Sequence, residues 1–142
     1  MARAMEQVFA LCRKFEKLTG RHISIAQEEQ AACLLQRTSD GFSHCHAMSG
    51  AGVHIDAAGR IYACASFVGD ARFLLGDVEH GIDVRRQETV AHEMQRAMAF
   101  CRACADFAGC GGACYARRAG QGHAATSDAE CALKRAAMRA VE

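Results

Sequence analysis

Seven of the nine cysteines in this 142-residue chain form one spaced array, and no other feature of the sequence constrains its fold as strongly. The array comprises Cys45, Cys64, the run Cys101-x2-Cys104-x5-Cys110-x3-Cys114, and Cys131. Thiolates at such short spacings converge on soft metal ions, because a turn of about two to five residues brings two sulfurs onto one metal or cluster. Seven thiolates exceed what one tetrahedral ion binds, so the array predicts two metal centres.

The composition favours one small domain that needs metal to stabilise it. Hydrophobic residues make up 51% of the chain, but it has only seven Phe, two Tyr and no Trp to fill a core. The formal net charge of +1 gives no field that would attract nucleic acid or an acidic membrane surface, so neither is expected as a partner. The arginine pairs Arg85-Arg86 and Arg117-Arg118 are expected to lie on solvated faces.

The first fifteen residues do not resemble a signal peptide. They carry Arg3, Glu6, Arg13 and Lys14 among their apolar residues, and no later stretch approaches the length of a membrane span. The expected location is therefore the reducing cytoplasm, where cysteine clusters are metal or redox sites rather than structural disulfides. The odd cysteine count agrees, because nine cysteines cannot all pair within one chain.

Hydrophobic periodicity predicts one helix at the start of the chain, and a capping box of Ser24 and Gln27 predicts a second. Apolar residues recur at helical spacing over residues 2–19, where Gly20 ends the segment, and a second helix is expected up to about residue 37. Cys12 and Cys33 lie in these helices. Neither has a cysteine neighbour at chelating distance, so both are expected to be small buried apolar residues and not ligands.

A β-hairpin is predicted between the helical regions. Residues 53–56 and 60–63 alternate apolar and polar side chains around a three-residue turn. Gly59 ends that turn and is expected at positive φ, which lets the second strand deliver Cys64 close to Cys45.

The helical pattern returns towards the end of the chain. Residues 85–100 are predicted to be helical, with one apolar face formed by Val90, Met94, Ala97 and Met98. Ser127 and Glu130 form a capping box for a last helix over residues 128–141. Cys131 then lies in the first turns of that helix, where the helix dipole favours the ionised thiolate.

Together these elements describe a small α+β fold stapled by metal. Its parts are N-terminal helices, the hairpin, a cysteine-rich loop over residues 101–114 and a C-terminal helix. Residues 67–77 are expected to add a short third strand or a loop.

The cysteine spacing resembles the signature of the SPASM domain, the C-terminal auxiliary-cluster domain of radical SAM enzymes that mature peptides and proteins. The similarity lies in the pattern Cys-x13-Gly-x4-Cys, a gap, Cys-x2-Cys-x5-Cys-x3-Cys, a gap, and Cys. The surrounding residues are also similar to the family over 59–64, 75–77 and 110–114. The resemblance covers residues 42–131 and divides the chain into a helical segment, 1–40, and a SPASM-like auxiliary cluster domain, 41–142.

The resemblance implies two iron-sulfur clusters of the 4Fe-4S type with interleaved ligands. By the family pattern the distal cluster is held by Cys101, Cys104, Cys110 and Cys131. The proximal cluster is held by Cys45, Cys64 and Cys114, so the last cysteine of the run crosses over to the other cluster. Below, these two groups are called the distal and the proximal thiols.

Three proximal thiols leave one iron short of a ligand. Some family members supply a further cysteine before the hairpin, but residues 46–58 contain none. His44, His46 and His54 lie near this position in the sequence, and each is expected to be a surface or hydrogen-bonding residue more often than a ligand. The resemblance therefore implies an open iron that a substrate thiolate or water can occupy.

The chain lacks the motif with which radical SAM enzymes cleave S-adenosylmethionine. That motif is Cys-x3-Cys-x2-Cys on a partial (β/α) barrel, but Arg117 stands where the third cysteine would follow Cys110-x3-Cys114. Only 44 residues precede Cys45, too few for such a barrel. The chain is therefore expected to bind no S-adenosylmethionine alone and not to be catalytic alone. It would relay electrons or anchor substrate beside a radical SAM core that modifies a peptide or protein.

Two other functions compete with this interpretation. An independent ferredoxin-like electron carrier would use the same clusters, with both fully ligated, because outer-sphere electron transfer needs no open iron. A structural zinc module would use the same thiolates, but zinc ribbons favour two C-x2-C knuckles, and one knuckle followed by C-x5-C-x3-C is a poor tetrahedral pattern.

Overall fold

The computed structural model describes residues 2–35, 41–42, 45–119 and 128–141, and within them the chain has the predicted α+β class. The helices are α1 (Ala2–Thr19), α2 (Ala26–Leu35), α3 (Val84–Ala97), α4 (Ala99–Arg102), α5 (Phe107–Cys110), α6 (Tyr115–Ala119) and α7 (Asp128–Val141). The strands are β1 (His54–Ile55), β2 (Arg60–Tyr62), β3 (Leu74–Asp77) and β4 (Gly81–Ile82). None of the described helices is long and apolar enough to cross a membrane.

The strands form one antiparallel sheet in the order β1-β2-β3-β4. The predicted hairpin is β1 and β2, with Ile55 opposite Ile61, and Gly59 has the expected positive φ of 78°. Residues 67–77 contain a strand, β3. The short strand β4 was not expected, because two residues carry too little alternation to be recognised in a sequence.

The larger core lies between α3 and the sheet. Met94 and Met98 of the predicted apolar face are buried against the sheet residues Ile61 and Leu75. The helical pattern over 85–100 is interrupted at Met98, where α3 ends and α4 begins. The loop that follows Cys45 belongs to the same core through Met48, whose carbonyl accepts a hydrogen bond from the Gln95 side chain at 2.6 Å.

A second core joins the two ends of the chain. Phe9 of α1 is 1% exposed and packs with Ala31 of α2 and with Ala136, Ala137 and Met138 of α7. Both predicted N-terminal helices are therefore present, although residues 36–40, where the second was expected to end, lie outside the described residues. The last helix is also confirmed, while Ser127 of its proposed capping box lies outside the described residues. This core fixes α7, and with it Cys131.

Candidate metal centre

Three short helices carry the cysteine run. Cys101 lies in α4 and is 7% exposed, and the amide of Cys104 bonds to its carbonyl at 3.0 Å in the turn that follows. Cys110 is the last residue of α5, and Cys114 precedes α6. Because these helices are only four or five residues long, the chain changes direction several times within the run. The run can therefore direct its sulfurs to more than one centre.

Gly112 allows the sharp change of direction between Cys110 and Cys114. Its φ is +87°, and a Cβ atom at this position would lie 2.7 Å from the ring of Phe42. Both the backbone conformation and the lack of space therefore require glycine here. The ring of Phe107 packs edge-on against Phe42, with centroids 5.3 Å apart, and would itself lie 3.3 Å from a Cβ atom at Gly112.

The four distal thiols line one cavity. It has a volume of about 100 Å³ and lies between the cysteine run and α7. The remaining lining residues are Phe100, Phe107, Gly112, Ala113, Glu130, Lys134 and Arg135. The cavity brings Cys131, which is distant in sequence, to the three cysteines of the run.

The distal thiols influence one another electrostatically. Burial raises the pKa of the Cys101 thiol, and the sulfurs of Cys131 and Cys104 raise it further. Burial also raises the pKa of Cys110, to which Cys131 and Cys101 add. All four sulfurs therefore act within one electrostatic neighbourhood.

The backbone near Cys64 and the loop after Cys45 approach each other closely. A Cβ atom on Gly52 would lie 2.1 Å from the carbonyl oxygen of Ala63, the residue before Cys64. Only glycine permits this contact, which holds the Cys45 loop against the end of the hairpin. The prediction that the second strand delivers Cys64 towards Cys45 agrees with this packing.

Cys114 also influences the Cys45 thiol electrostatically. Burial raises the pKa of the Cys45 thiol, the amides of Met48 and Ala47 lower it by hydrogen bonding, and the sulfurs of Cys114 and Cys64 raise it. The amide of Cys114 donates to the Glu130 carboxylate of α7 at 3.1 Å, which positions the crossing cysteine. The Cys45 sulfur thus interacts electrostatically with those of Cys64 and Cys114.

These thiol groups do not form a closed coordination sphere. All nine cysteines are free thiols, and among the described residues no three His, Cys, Asp or Glu side chains lie close enough to hold a metal ion.

Cys12 is half-buried on α1, but Cys33 is exposed on α2, so the expectation that it is buried was wrong. His46 and His54 are exposed, as expected of surface residues, and His44 lies outside the described residues.

Three cations approach the distal thiols, and sequence reasoning missed them. The expectation that Arg118 lies on a solvated face was wrong, because it is 7% exposed and its Nη2 donates to the Cys131 sulfur at 3.9 Å. Arg135 donates to the Cys104 sulfur, also at 3.9 Å. Lys134 lowers the pKa of Cys110 and bonds to the carbonyl of Gly112. Arg117, in contrast, is exposed as expected.

Part of the Arg118 guanidinium has no partner in the described part of the chain. Its Nε and Nη1 atoms are buried and make no hydrogen bond there, while the group packs over the ring of Phe100 with its carbon 5.4 Å from the centroid. A buried cation with open donors is unfavourable unless negative charge lies beside it. An anionic group ligated by Cys131, to which Nη2 donates, would place such a charge beside the guanidinium.

A larger cavity adjoins one thiol of each group. Its volume is about 230 Å³, and Cys110 and Cys114 both line it, with residues of α2 and α7 opposite. The short segment from Cys110 to Cys114 connects the distal and proximal thiols along this cavity.

The chain matches no protein-family model, no curated protein and no solved structure.

Proposed function

We propose that this chain is an auxiliary iron-sulfur protein of the SPASM type, which carries two clusters for a radical SAM core that modifies a peptide or protein. The cysteine signature motivates the proposal. The observation that carries it is the grouping of the thiols: Cys45 interacts with Cys64 and Cys114, whereas Cys101, Cys104, Cys110 and Cys131 share one cavity. This grouping supports the division of ligands that the family pattern implies.

The surroundings of the distal thiols also support an anionic cluster. Four thiolates outweigh the net positive charge of the iron-sulfide core of a 4Fe-4S cluster, so the bound group carries net negative charge. The open donors of Arg118 and the charges of Lys134 and Arg135 would stabilise it. An uncharged cavity would favour neutral thiols instead, because burial alone raises the pKa of Cys101 and Cys110.

Each residue has a defined task in this proposal. The distal thiols would hold one cluster with all four irons ligated, and the proximal thiols would hold a second with one iron open. A bound cluster supplies one-electron transfer and, at the open iron, a place for a substrate thiolate or water. The amides of Met48 and Ala47 orient the Cys45 sulfur, and Glu130 orients the backbone of Cys114.

Metal and sulfide analysis of anaerobically reconstituted protein tests the proposal. Two cubane clusters predict about eight iron and eight sulfide per chain. Cys64→Ala should remove a proximal ligand and Cys104→Ala a distal one, and each variant should retain about half of the iron if the two sites load independently. Cys33→Ala is the matched control, because this exposed thiol lies outside both groups and its loss should leave the iron content unchanged.

The competing functions predict different results. A structural zinc module would contain zinc and no labile sulfide, which would contradict the proposal. A ferredoxin-like carrier would contain both clusters but would not bind cyanide or an added thiol. The proposed open iron predicts a change in the electron paramagnetic resonance signal of the reduced protein when either is added, and this change should be lost in Cys64→Ala.

A further inference from the structure

The two thiol groups differ in the charges beside them. At the distal thiols, Arg118 and Arg135 each place a guanidinium nitrogen 3.9 Å from a cysteine sulfur, and Lys134 lines the same cavity. At the proximal thiols, the hydrogen bonds that most affect the pKa of Cys45 come from the neutral amides of Met48 and Ala47, while Arg117 and Lys134 line the larger cavity together with Cys114.

Two carboxylates also lie near the thiols. Asp106 lies at the distal side, where it accepts from Arg135 Nε at 2.6 Å and from the Cys104 thiol at 3.8 Å. Glu130 lines the distal cavity but accepts from the Cys114 amide at 3.1 Å, so its charge also faces the proximal group. The three cations therefore outnumber the carboxylates at the distal side.

Neighbouring charge changes the ease with which a cluster accepts an electron. Reduction adds one negative charge, so a nearby cation stabilises the reduced state and a nearby carboxylate destabilises it. Burial strengthens this effect because less water screens the charge. Arg118 is 7% exposed and should therefore act more strongly than Arg135, whose side chain is 48% exposed.

We propose that Arg118, Lys134 and Arg135 hold the distal site at a higher reduction potential than the proximal site, so that the first electron delivered to the protein rests at the distal cysteines. This inference depends on the proposed function, because it assumes a cluster at each site. A low-potential one-electron donor, such as dithionite or a reduced ferredoxin, loses one electron and the distal site gains it. No bond to the protein forms or breaks.

A redox titration of the reconstituted protein, followed by electron paramagnetic resonance, tests the inference. The unmodified protein should show two potentials, and Cys64→Ala should retain the higher one, which identifies it as distal. Arg135→Gln should lower the higher potential and leave the lower one unchanged. Asp106→Asn should raise the higher potential, because it removes the opposing carboxylate. Arg135 and Asp106 form one ion pair, so a general loss of structure would shift the higher potential in the same direction in both variants. Shifts in opposite directions therefore report the two charges.

Arg13→Gln is the matched control. Arg13 is an exposed residue of α1, where it pairs with Glu28 at 3.2 Å, and its removal should move neither potential. Arg118→Gln should lower the higher potential more than Arg135→Gln does. Arg118→Lys, which keeps the positive charge, should retain most of the potential that Arg118→Gln loses. If Arg118→Gln does not fold, the Arg135 and Asp106 variants decide the question alone.

The outcomes separate this inference from the proposed function. If the protein holds two clusters but the higher reduction potential is unchanged by the Arg135 and Asp106 substitutions, the inference is overturned. The proposed function is not affected by that result. Retention of the lower potential in Cys64→Ala would assign the sites in the opposite order and would also overturn the inference. Protein that contains zinc without labile sulfide would overturn both.

Discussion

Gly112 is the residue on which the geometry of the cysteine run depends most directly. Gly112→Ala should destabilise the protein by about 1–2 kcal/mol through its positive φ. The contact of the new Cβ atom with Phe42 should add about 1–3 kcal/mol, because the ring is held by Phe107 and cannot easily move. Denaturant unfolding and the iron content measure the two consequences, and iron should be lost from both sites because Cys110 and Cys114 flank this residue.

Gly69→Ala is the control for this prediction. Gly69 has a φ of +93°, but a Cβ atom there would meet nothing within 4 Å. This variant should suffer only the backbone strain and should keep its iron. Equal iron loss in the two variants would show that positive φ, and not the packing of Gly112 against Phe42, sets the geometry of the run.

At the scale of single residues, the sequence indicated the clustered cysteines more clearly than the charged residues around them. The cysteines are recognisable because metal binding constrains their spacing along the chain. Arg118 was misjudged because two adjacent arginines resemble a solvated face, and only the contacts of Arg118 with Cys131 and Phe100 distinguish it from Arg117. Lys134 and Arg135 carried a usable signal, since they follow Cys131 by three and four residues on one helix face.

The packing of α1 against α7 fixes the element that carries Cys131. Phe9 is 1% exposed in this interface, so Phe9→Ala should lower the free energy of unfolding by about 3–5 kcal/mol. Loosening α7 should also weaken iron retention at the distal site more than at the proximal site. Thermal unfolding and the iron content of the two single-site variants, each combined with Phe9→Ala, measure both effects.

Phe15→Ala, on the same helix, provides the comparison. Phe15 is 39% exposed, so its truncation should destabilise the protein by less than half as much as the Phe9 substitution. A distal site that keeps its iron when Phe9→Ala has melted α1 would show that α7 is held by the cysteine run alone.

The helices and the hairpin were predictable, but their association was not. Helical periodicity identified α1 and α3 because each has one apolar face, and the capping box of Ser127 and Glu130 indicated α7. The sequence divided the chain near residue 40, and nothing in it indicated that α1 and α2 pack on α7. Such contacts join segments more than 100 residues apart in this chain, and local patterns carry no information about them.

The whole molecule is expected to depend on a second protein for catalysis. The sequence contains no Cys-x3-Cys-x2-Cys triplet, so the purified chain under dithionite should form no deoxyadenosine from S-adenosylmethionine. Modification of a peptide should appear when a radical-generating chain is supplied, and it should fall in Cys64→Ala, which alters the proximal site. Multiple turnovers of deoxyadenosine by this chain alone would contradict its interpretation as an auxiliary protein.

The central claim is that seven cysteines hold two separate clusters, and diffraction from anaerobically grown crystals of the reconstituted protein, recorded at the iron edge, tests it most directly. The account predicts two distinct iron peaks. One should lie among Cys45, Cys64 and Cys114, and the other among Cys101, Cys104, Cys110 and Cys131. A single peak, a peak at the zinc edge alone, or a Cys114 sulfur bonded to the distal iron would contradict it.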